Sequence, residues 1–160
     1  MIVRIAFPKD ADTVGQVHSS AWKSAYLGII PDDFIDSDTA EKRKTEFLES
    51  IKDKNCTYYL LEESNQVAGI VKAHKSNNIL EVESIYILSE FRGKGLGKQF
   101  FDFIKANRSE CSIFLWVLEA NTNARHFYES IGFIPTGDTR TITRGVKLTQ
   151  VRYEYRITSP

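Results

Sequence analysis

Residues Leu80–Phe103, LEVESIYILSEFRGKGLGKQFFDF, read as a strand, a glycine-rich loop and a helix in succession. Ile85, Tyr86, Ile87 and Leu88 form a short apolar run rich in β-formers. Arg92-Gly93-Lys94-Gly95-Leu96-Gly97 follows, with three glycines in six residues. Leu96, Phe100, Phe103 and Ile104 then recur at i, i+4, i+7 and i+8, which places them on one helical face. Glycine accepts positive φ and lets backbone come close to a ligand. A loop feeding a helix N-terminus points free N–H groups outward, where the helix dipole favours an anion. Arg92 and Lys94 add positive charge. The stretch is a phosphate cradle or a tight turn, and its surroundings decide which.

On the N-terminal side, Ile2–Phe7 reads as a strand, followed by a helix to about Tyr26 on which Val14, Val17, His18, Ala21 and Trp22 share a face. Gly28 and Pro31 break it. Asp36, Ser37 or Asp38 is placed to cap a second helix over about Thr39–Lys52. Thr57–Glu63 and Val67–His74 form a hairpin around Ser64-Asn65-Gln66. On the C-terminal side the helix ends near Asn107. Cys111–Glu119, CSIFLWVLE, is an almost continuous apolar run, the signature of a strand buried on both faces. Asn121 opens a further helix with Ala124, Phe127, Tyr128 and Ile131 on one stripe, and Gly132 suits its C-terminal cap. Phe133–Thr143 and Lys147–Ile157 read as closing strands. The order is that of an α/β chain with an antiparallel meander, followed by a crossover helix joining parallel neighbours.

The 160 residues suit one domain spanning 1–160. Lys plus Arg and Asp plus Glu number 21 each, so the chain is neutral and lacks the basic surplus of a sequence-independent nucleic-acid or anionic-membrane binder. Cys56 and Cys111 lie far apart with no paired spacing, which fits free thiols in a reducing compartment. The N-terminus is charged by Arg4 and no apolar run approaches the length that spans a bilayer. A cytoplasmic location is expected. His18, His74 and His126 show no metal-ligand spacing, and no metal is expected.

The loop is neither a Walker A nor a Rossmann fingerprint. Arg92-x-x-Gly95-x-Gly97 fits instead the pattern Arg/Gln-x-x-Gly-x-Gly/Ala, found where proteins bind the pyrophosphate of coenzyme A. After an intervening buried strand comes Asn121-x-x-Ala124-x-x-Phe127-Tyr128-Glu129-x-x-Gly132-Phe133. The combination resembles the GNAT superfamily of N-acetyltransferases, most specifically over Glu81–Phe133, and the Trp22–Pro31 segment resembles the N-terminal helices of many bacterial members.

The resemblance implies a GNAT fold: a mixed, mostly antiparallel seven-stranded sheet with four helices and a splayed parallel pair. It implies acetyl-CoA as co-substrate, its pantetheine arm between the splayed strands against main-chain groups near Ile85, Tyr86 and Ile87. Its pyrophosphate would meet the N–H groups of Arg92, Gly93, Lys94, Gly95, Leu96, Gly97 and Lys98, with Asn121 and Ala124 contributing from the second helix. Ser89 stands where the family often has a proline. The reaction implied is transfer of acetyl to a primary amine of a small molecule or peptide by direct attack on the thioester.

Tyr128 is the candidate acid, since a phenol of pKa about 10 stays neutral at pH 7 and can protonate a departing thiolate. Spacing alone equally allows a core role. Glu83 and Glu81 are base candidates, Glu83 first for its closeness to the splay. On a regular strand both share a face with Ile79, Ile85 and Ile87, where apolar neighbours raise a carboxyl pKa; a solvent-facing place at the strand start is the equal alternative for each. Trp22 and Tyr26 are the acceptor-side candidates, with a core anchor the competing reading for Trp22, and Asp32, Asp33, Asp36 and Asp38 form an acidic cluster that suits an amine or, equally, a solvated loop with helix caps. The alternative from another class is a non-catalytic acyl-CoA-binding sensor on the same fold. A nucleotide enzyme would need a metal-binding acid near the loop, for which Glu90 is the one close candidate. The two closing strands are available to pair between subunits in a homodimer.

Overall fold

The computed structural model describes residues 1–107 and 112–157. Its seven strands are β1 (Ile2–Ile5), β2 (Cys56–Glu63), β3 (Gln66–Ser76), β4 (Ile79–Ile87), β5 (Ser112–Leu118), β6 (Ile134–Thr143) and β7 (Lys147–Arg156). They form one mixed sheet in the order β1-β2-β3-β4-β5-β7-β6. Only β4 and β5 pair in parallel, and the crossover between them is a helix, as a parallel connection requires.

The helices are α1 (Ala11–Tyr26), α2 (Asp32–Asp36), α3 (Ala40–Ser50), α4 (Leu96–Asn107) and α5 (Thr122–Ser130). Four of them fall where hydrophobic spacing puts them. The additional one, α2, occupies a segment expected as loop. Pro31 leads into it, and Asp32 and Asp33 sit in its first turn, where carboxylates offset the exposed N–H groups. The cap of α3 is Thr39 and not one of the preceding Asp or Ser residues. Its hydroxyl accepts from the Lys42 N–H at 3.2 Å.

The sheet is covered on both faces. In β2, Tyr58 and Leu60 pack with Val14, Val17 and Phe47 of α1 and α3. Tyr59 and Leu61, pointing the other way, join Phe100, Phe101 and Ile104 of α4 and Tyr128 of α5. β5 departs from the expectation of burial on both faces. Ile113, Leu115 and Val117 are buried toward α4 and α5, whereas Phe114 and Trp116 are half-buried. The guanidiniums of Arg152 and Arg140 lie over them, 4.2 and 4.5 Å from the respective ring centres.

Helices α1 and α3 meet at Gly15. A Cβ there would overlap the Ala40 carbonyl oxygen and lie 3.1 Å from Lys44 Cβ. Gly15→Val is therefore expected to destabilise the fold by about 1–3 kcal/mol through overpacking. Urea denaturation measures this, and wild-type stability would show that the two helices do not approach so closely.

The closing strands pair with each other within the chain, and β7 lies between β5 and β6, so of these two it is β6 whose outer edge is unpaired among the described residues. Among the described residues no helix is long and apolar enough to cross a membrane. Cys56 is buried, and burial pushes its thiol up, away from reactivity. Cys111 lies outside the described residues.

Candidate active site

Among the described residues β4 and β5 pair only at Ile79 with Ser112, Leu80 with Ile113 and Glu81 with Phe114. β4 then continues to Ile87 against β3, and β5 to Leu118 against β7, with no pairing between them. A wedge opens, and along it each strand presents backbone groups that a sheet neighbour would normally satisfy. Its origin is local. Lys72 pairs with Ser84 and Ala73 with Val82, so Glu83 is an extra residue in β4, a β-bulge. Bulges bend and twist the strand that carries them.

The bulge also overturns the expectation that Glu81 and Glu83 share a face with Ile85 and Ile87. An inserted residue shifts the alternation by one. Leu80 and Val82 before it and Ile85 and Ile87 after it all pack toward α4. Tyr86 packs on the opposite face, against the α1 side. Glu83, Ser84 and Tyr86 line a cavity there, and Glu81 lines a smaller recess beside it with Trp116.

At the wide end of the wedge the glycine loop turns into α4. Gly93 and Gly95 have φ of +74° and +79°, which favours glycine at both. A Cβ on Gly93 would meet nothing within 4 Å, and one on Gly95 only Gln99 Nε2 at 3.9 Å, so the outer side of the loop is open. No acceptor among the described residues takes the N–H groups of Gly93 through Lys98, and the first bonded one is Gln99, to the Gly95 carbonyl at 3.0 Å. Open space and a run of unpaired donors at a helix N-terminus fit a pyrophosphate.

Three expected contributors behave differently in detail. Arg92 turns its charge away from the loop: Nε donates to the Ile87 carbonyl at 3.0 Å, and Nη2 donates to Ser24 Oγ at 2.7 Å and the Ala21 carbonyl at 3.2 Å. It ties loop, β4 and α1 together, and its own N–H is spent on Ser89. Gly97 is small for packing, because a Cβ there would lie 2.9 Å from the Phe127 ring. Asn121 caps α5, its Oδ1 accepting from the Ala124 N–H at 3.2 Å, which leaves its amide nitrogen for a ligand.

Tyr128 sits on α5 with 8% of its surface exposed. Its ring meets Phe101 and Phe133 edge-on. Burial pushes its phenol well above the ordinary value, and Tyr26 adds to the effect. Tyr26 reaches the same region from α1, its hydroxyl 3.3 Å from that of Tyr86. Trp22 is buried beside Tyr26, Phe34, Ile30 and Ile35, and so is a core anchor that also lines the cavity.

A family model, the GNAT acetyltransferase domain, matches residues 31–155. The chain belongs to the GNAT acetyltransferase family. An uncharacterized N-acetyltransferase of Lactobacillus delbrueckii subsp. lactis is 37% identical over 86 residues, covering 47% of this chain and 50% of that protein, so the match spans about half of that relative. A probable N-acetyltransferase of Mycobacterium tuberculosis is 25% identical over 99% of this chain and 95% of its own length. Among solved structures, the PaiA N-acetyltransferase of Thermoplasma acidophilum in complex with coenzyme A superposes with a TM-score of 0.73 at 21% identity, over 98% of this chain and 99% of that one. At that identity the likeness speaks for the fold.

Several residues of this GNAT chain's cavity escape sequence reading. His18 is 1% exposed, stacks on Tyr86 with ring centres 5.3 Å apart, and pairs neither ring nitrogen within the described residues. Burial, reinforced by Arg43 and Lys72, pushes its imidazole down to about 3, so it is neutral. Its place on the apolar face of α1 is legible, but its stacking partner on β4 is not. Arg140, Arg144 and Gln150 reach the cavity from β6, β7 and their turn, where no motif marks them. Of the acidic cluster only Asp38 lines it, while Asp32, Asp33 and Asp36 are exposed on α2.

Proposed function

We propose that this chain is an acetyl-CoA-dependent N-acetyltransferase that acetylates a primary amine by direct attack. The carrying observation is the end of β4–β5 pairing at Glu81 and Phe114 beside the unsatisfied N–H groups of Gly93–Lys98. A strand-like pantetheine arm fits the wedge, and a pyrophosphate fits the loop. Acetyl-CoA supplies the activated acetyl thioester.

The chain's residues then divide the remaining work. The loop and the wedge hold one reactant while the cavity on the α1 side admits the other, so amine and carbonyl meet in line. The amine must lose a proton before it attacks, since an ammonium has a pKa near 10. Glu83, at the bulge, lines the cavity and accepts that proton directly or through water, with its carboxylate held 3.1 Å from Lys72 Nζ. Glu81 is the second candidate: burial, and then Glu83, push its carboxyl up, which suits a base. As the C–N bond forms and the C–S bond breaks, Tyr128 gives its proton to the departing sulfur.

The test is thiol release from acetyl-CoA with purified protein and a panel of primary amines. Turnover with at least one amine is expected. Tight acetyl-CoA binding with no turnover would instead indicate a sensor.

Glu83→Gln is expected to lower turnover about 10²-fold at pH 7, with the deficit shrinking toward pH 10 as the amine loses its proton unaided. A pH–rate profile of both Gln variants checks this. A larger, equally pH-dependent loss in Glu81→Gln would move the role to Glu81.

A further inference from the structure

The cavity on the α1 side has a volume of about 490 Å³, and its wall bears on what an acceptor carries besides its amine. Its deep part is electrostatically closed. Arg43 lies 2.7 Å from Asp38 and 2.9 Å from Glu46, while Lys72 lies 3.1 Å from Glu83 and 3.6 Å from Glu46. Two cations and three carboxylates thus form one chain of ion pairs.

The rim differs. Lys42, Arg140 and Arg144 also line the cavity, and none is in ion-pair contact with a carboxylate among the described residues, although Glu81 shares the adjoining recess with Arg140 and feels its charge. Lys42 and Arg144 donate only to the backbone carbonyls of Ser37 and Thr143. The whole wall therefore has a surplus of two positive charges, five cations against three carboxylates. Adding Glu81 from the adjoining recess still leaves the sum positive.

Arg140 is the best organised of the rim cations. Its Nε donates to Gln150 Oε1 at 2.6 Å, and its guanidinium lies 4.5 Å over the Trp116 ring. The side chain is held on one edge and one face. Its two terminal nitrogens make no hydrogen bond to a described residue, an arrangement matched to the two oxygens of a carboxylate. A polycation would find the reverse of what it needs, because Asp32, Asp33 and Asp36 do not line the cavity and Asp38 is taken by Arg43.

We propose that the acceptor is a carboxylate-bearing primary amine, an amino acid or a short acidic peptide, whose carboxylate sits on Arg140 with Arg144 beside it. The inference rests on the acetyl-transfer reading above. The amine end points inward, toward Glu83 and Tyr86, where the paired charges leave the deep part of the cavity close to neutral.

The experiment compares L-alanine, L-phenylalanine and L-leucine with their α-carboxamides and with 1,4-diaminobutane in the thiol-release assay. The amino acids are expected to exceed their amides at least about tenfold in kcat/KM, and the diamine to be the poorest. Arg140→Gln is expected to remove most of that preference by raising KM for the acids about 10–100-fold, with acetyl-CoA affinity unchanged. Arg140→Lys, which keeps the charge but not the fork, is expected to fall between. Preference for amides or diamine, or a preference untouched in Arg140→Gln, would overturn the proposal while leaving acetyl transfer intact. If no amine turns over, the reaction reading fails, and binding of the same acids and amides by ligand-observed NMR decides the anion site. Equal binding of acid and amide would overturn it.

Discussion

Gly95→Glu is expected to abolish acetyl-CoA binding, weakening it at least about 100-fold, or about 2.7 kcal/mol. Two effects combine. Gly95 has φ of +79°, a conformation that costs other residues about 1–3 kcal/mol. That strain tends to reshape the loop and misalign the N–H groups of Gly93–Lys98. The second effect is electrostatic. The new carboxylate enters space that only Gln99 Nε2, at 3.9 Å, borders from the protein side. It sits at the N-terminus of α4, where it satisfies donors that a pyrophosphate would otherwise use, and repels the phosphates as well. Gly95→Ala separates the two, because it carries the strain without the charge and places its methyl in open space. Titration calorimetry should find the alanine variant weakened far less than the glutamate variant. Thermal melting of both shows whether the fold persists. Wild-type affinity in Gly95→Glu would remove the loop from the cofactor site.

Much of the fold was legible because the signals are local. Leu96, Phe100 and Ile104 needed only their spacing to be placed on the buried face of α4, and all three are buried. Gly132 needed only its position after an apolar helix; its φ is +100° and its N–H donates to the Glu129 carbonyl at 3.1 Å. What was hidden depends on partners far apart in the chain. The extra residue at Glu83 shows only in the register against β3, so strict alternation put the glutamates on the wrong face. The side-chain charge of Arg92 looked like part of the phosphate cradle, yet Ser24 and the Ala21 carbonyl on α1, some 70 positions earlier, claim it. The apolar run of β5 implied two covered faces. Two arginines from β6 and β7 lie over Phe114 and Trp116 on one of them, and Trp116 borders the smaller recess beside the cavity.

The charge of that cavity is the clearest case of long-range assembly. From the sequence, four aspartates between α1 and α3 fitted an amine-binding acceptor side and a solvated, helix-capping loop equally well. Folding sends three of them to solvent and pairs the fourth, while Arg140 and Arg144 arrive from the far end of the chain. Local composition near a site is thus a poor guide to its potential when the lining comes from helices at one end of the chain and a hairpin at the other.

Tyr128→Phe is expected to lower kcat about 10²–10⁴-fold while changing acetyl-CoA affinity little. The substitution is clean because of how the residue is held. Its ring is fixed by edge-on contacts with Phe101 and Phe133, which phenylalanine keeps. The hydroxyl makes no hydrogen bond to a described residue, so its loss strands no buried partner and the melting temperature should not fall. Burial pushes the phenol well above its ordinary value, so it stays protonated through neutral pH and is a donor, not a base. A donor matters in proportion to how poorly the leaving group departs alone. An acetyl thioester of a more acidic thiol, carried on the same pantetheine arm, should therefore recover much of the lost rate in Tyr128→Phe and gain little in the wild type. Steady-state kinetics with both thioesters measure the split. An equal deficit with both would make Tyr128 a packing residue that orients the acetyl group, and wild-type turnover would return it wholly to the core formed by Phe101, Phe133 and Tyr153.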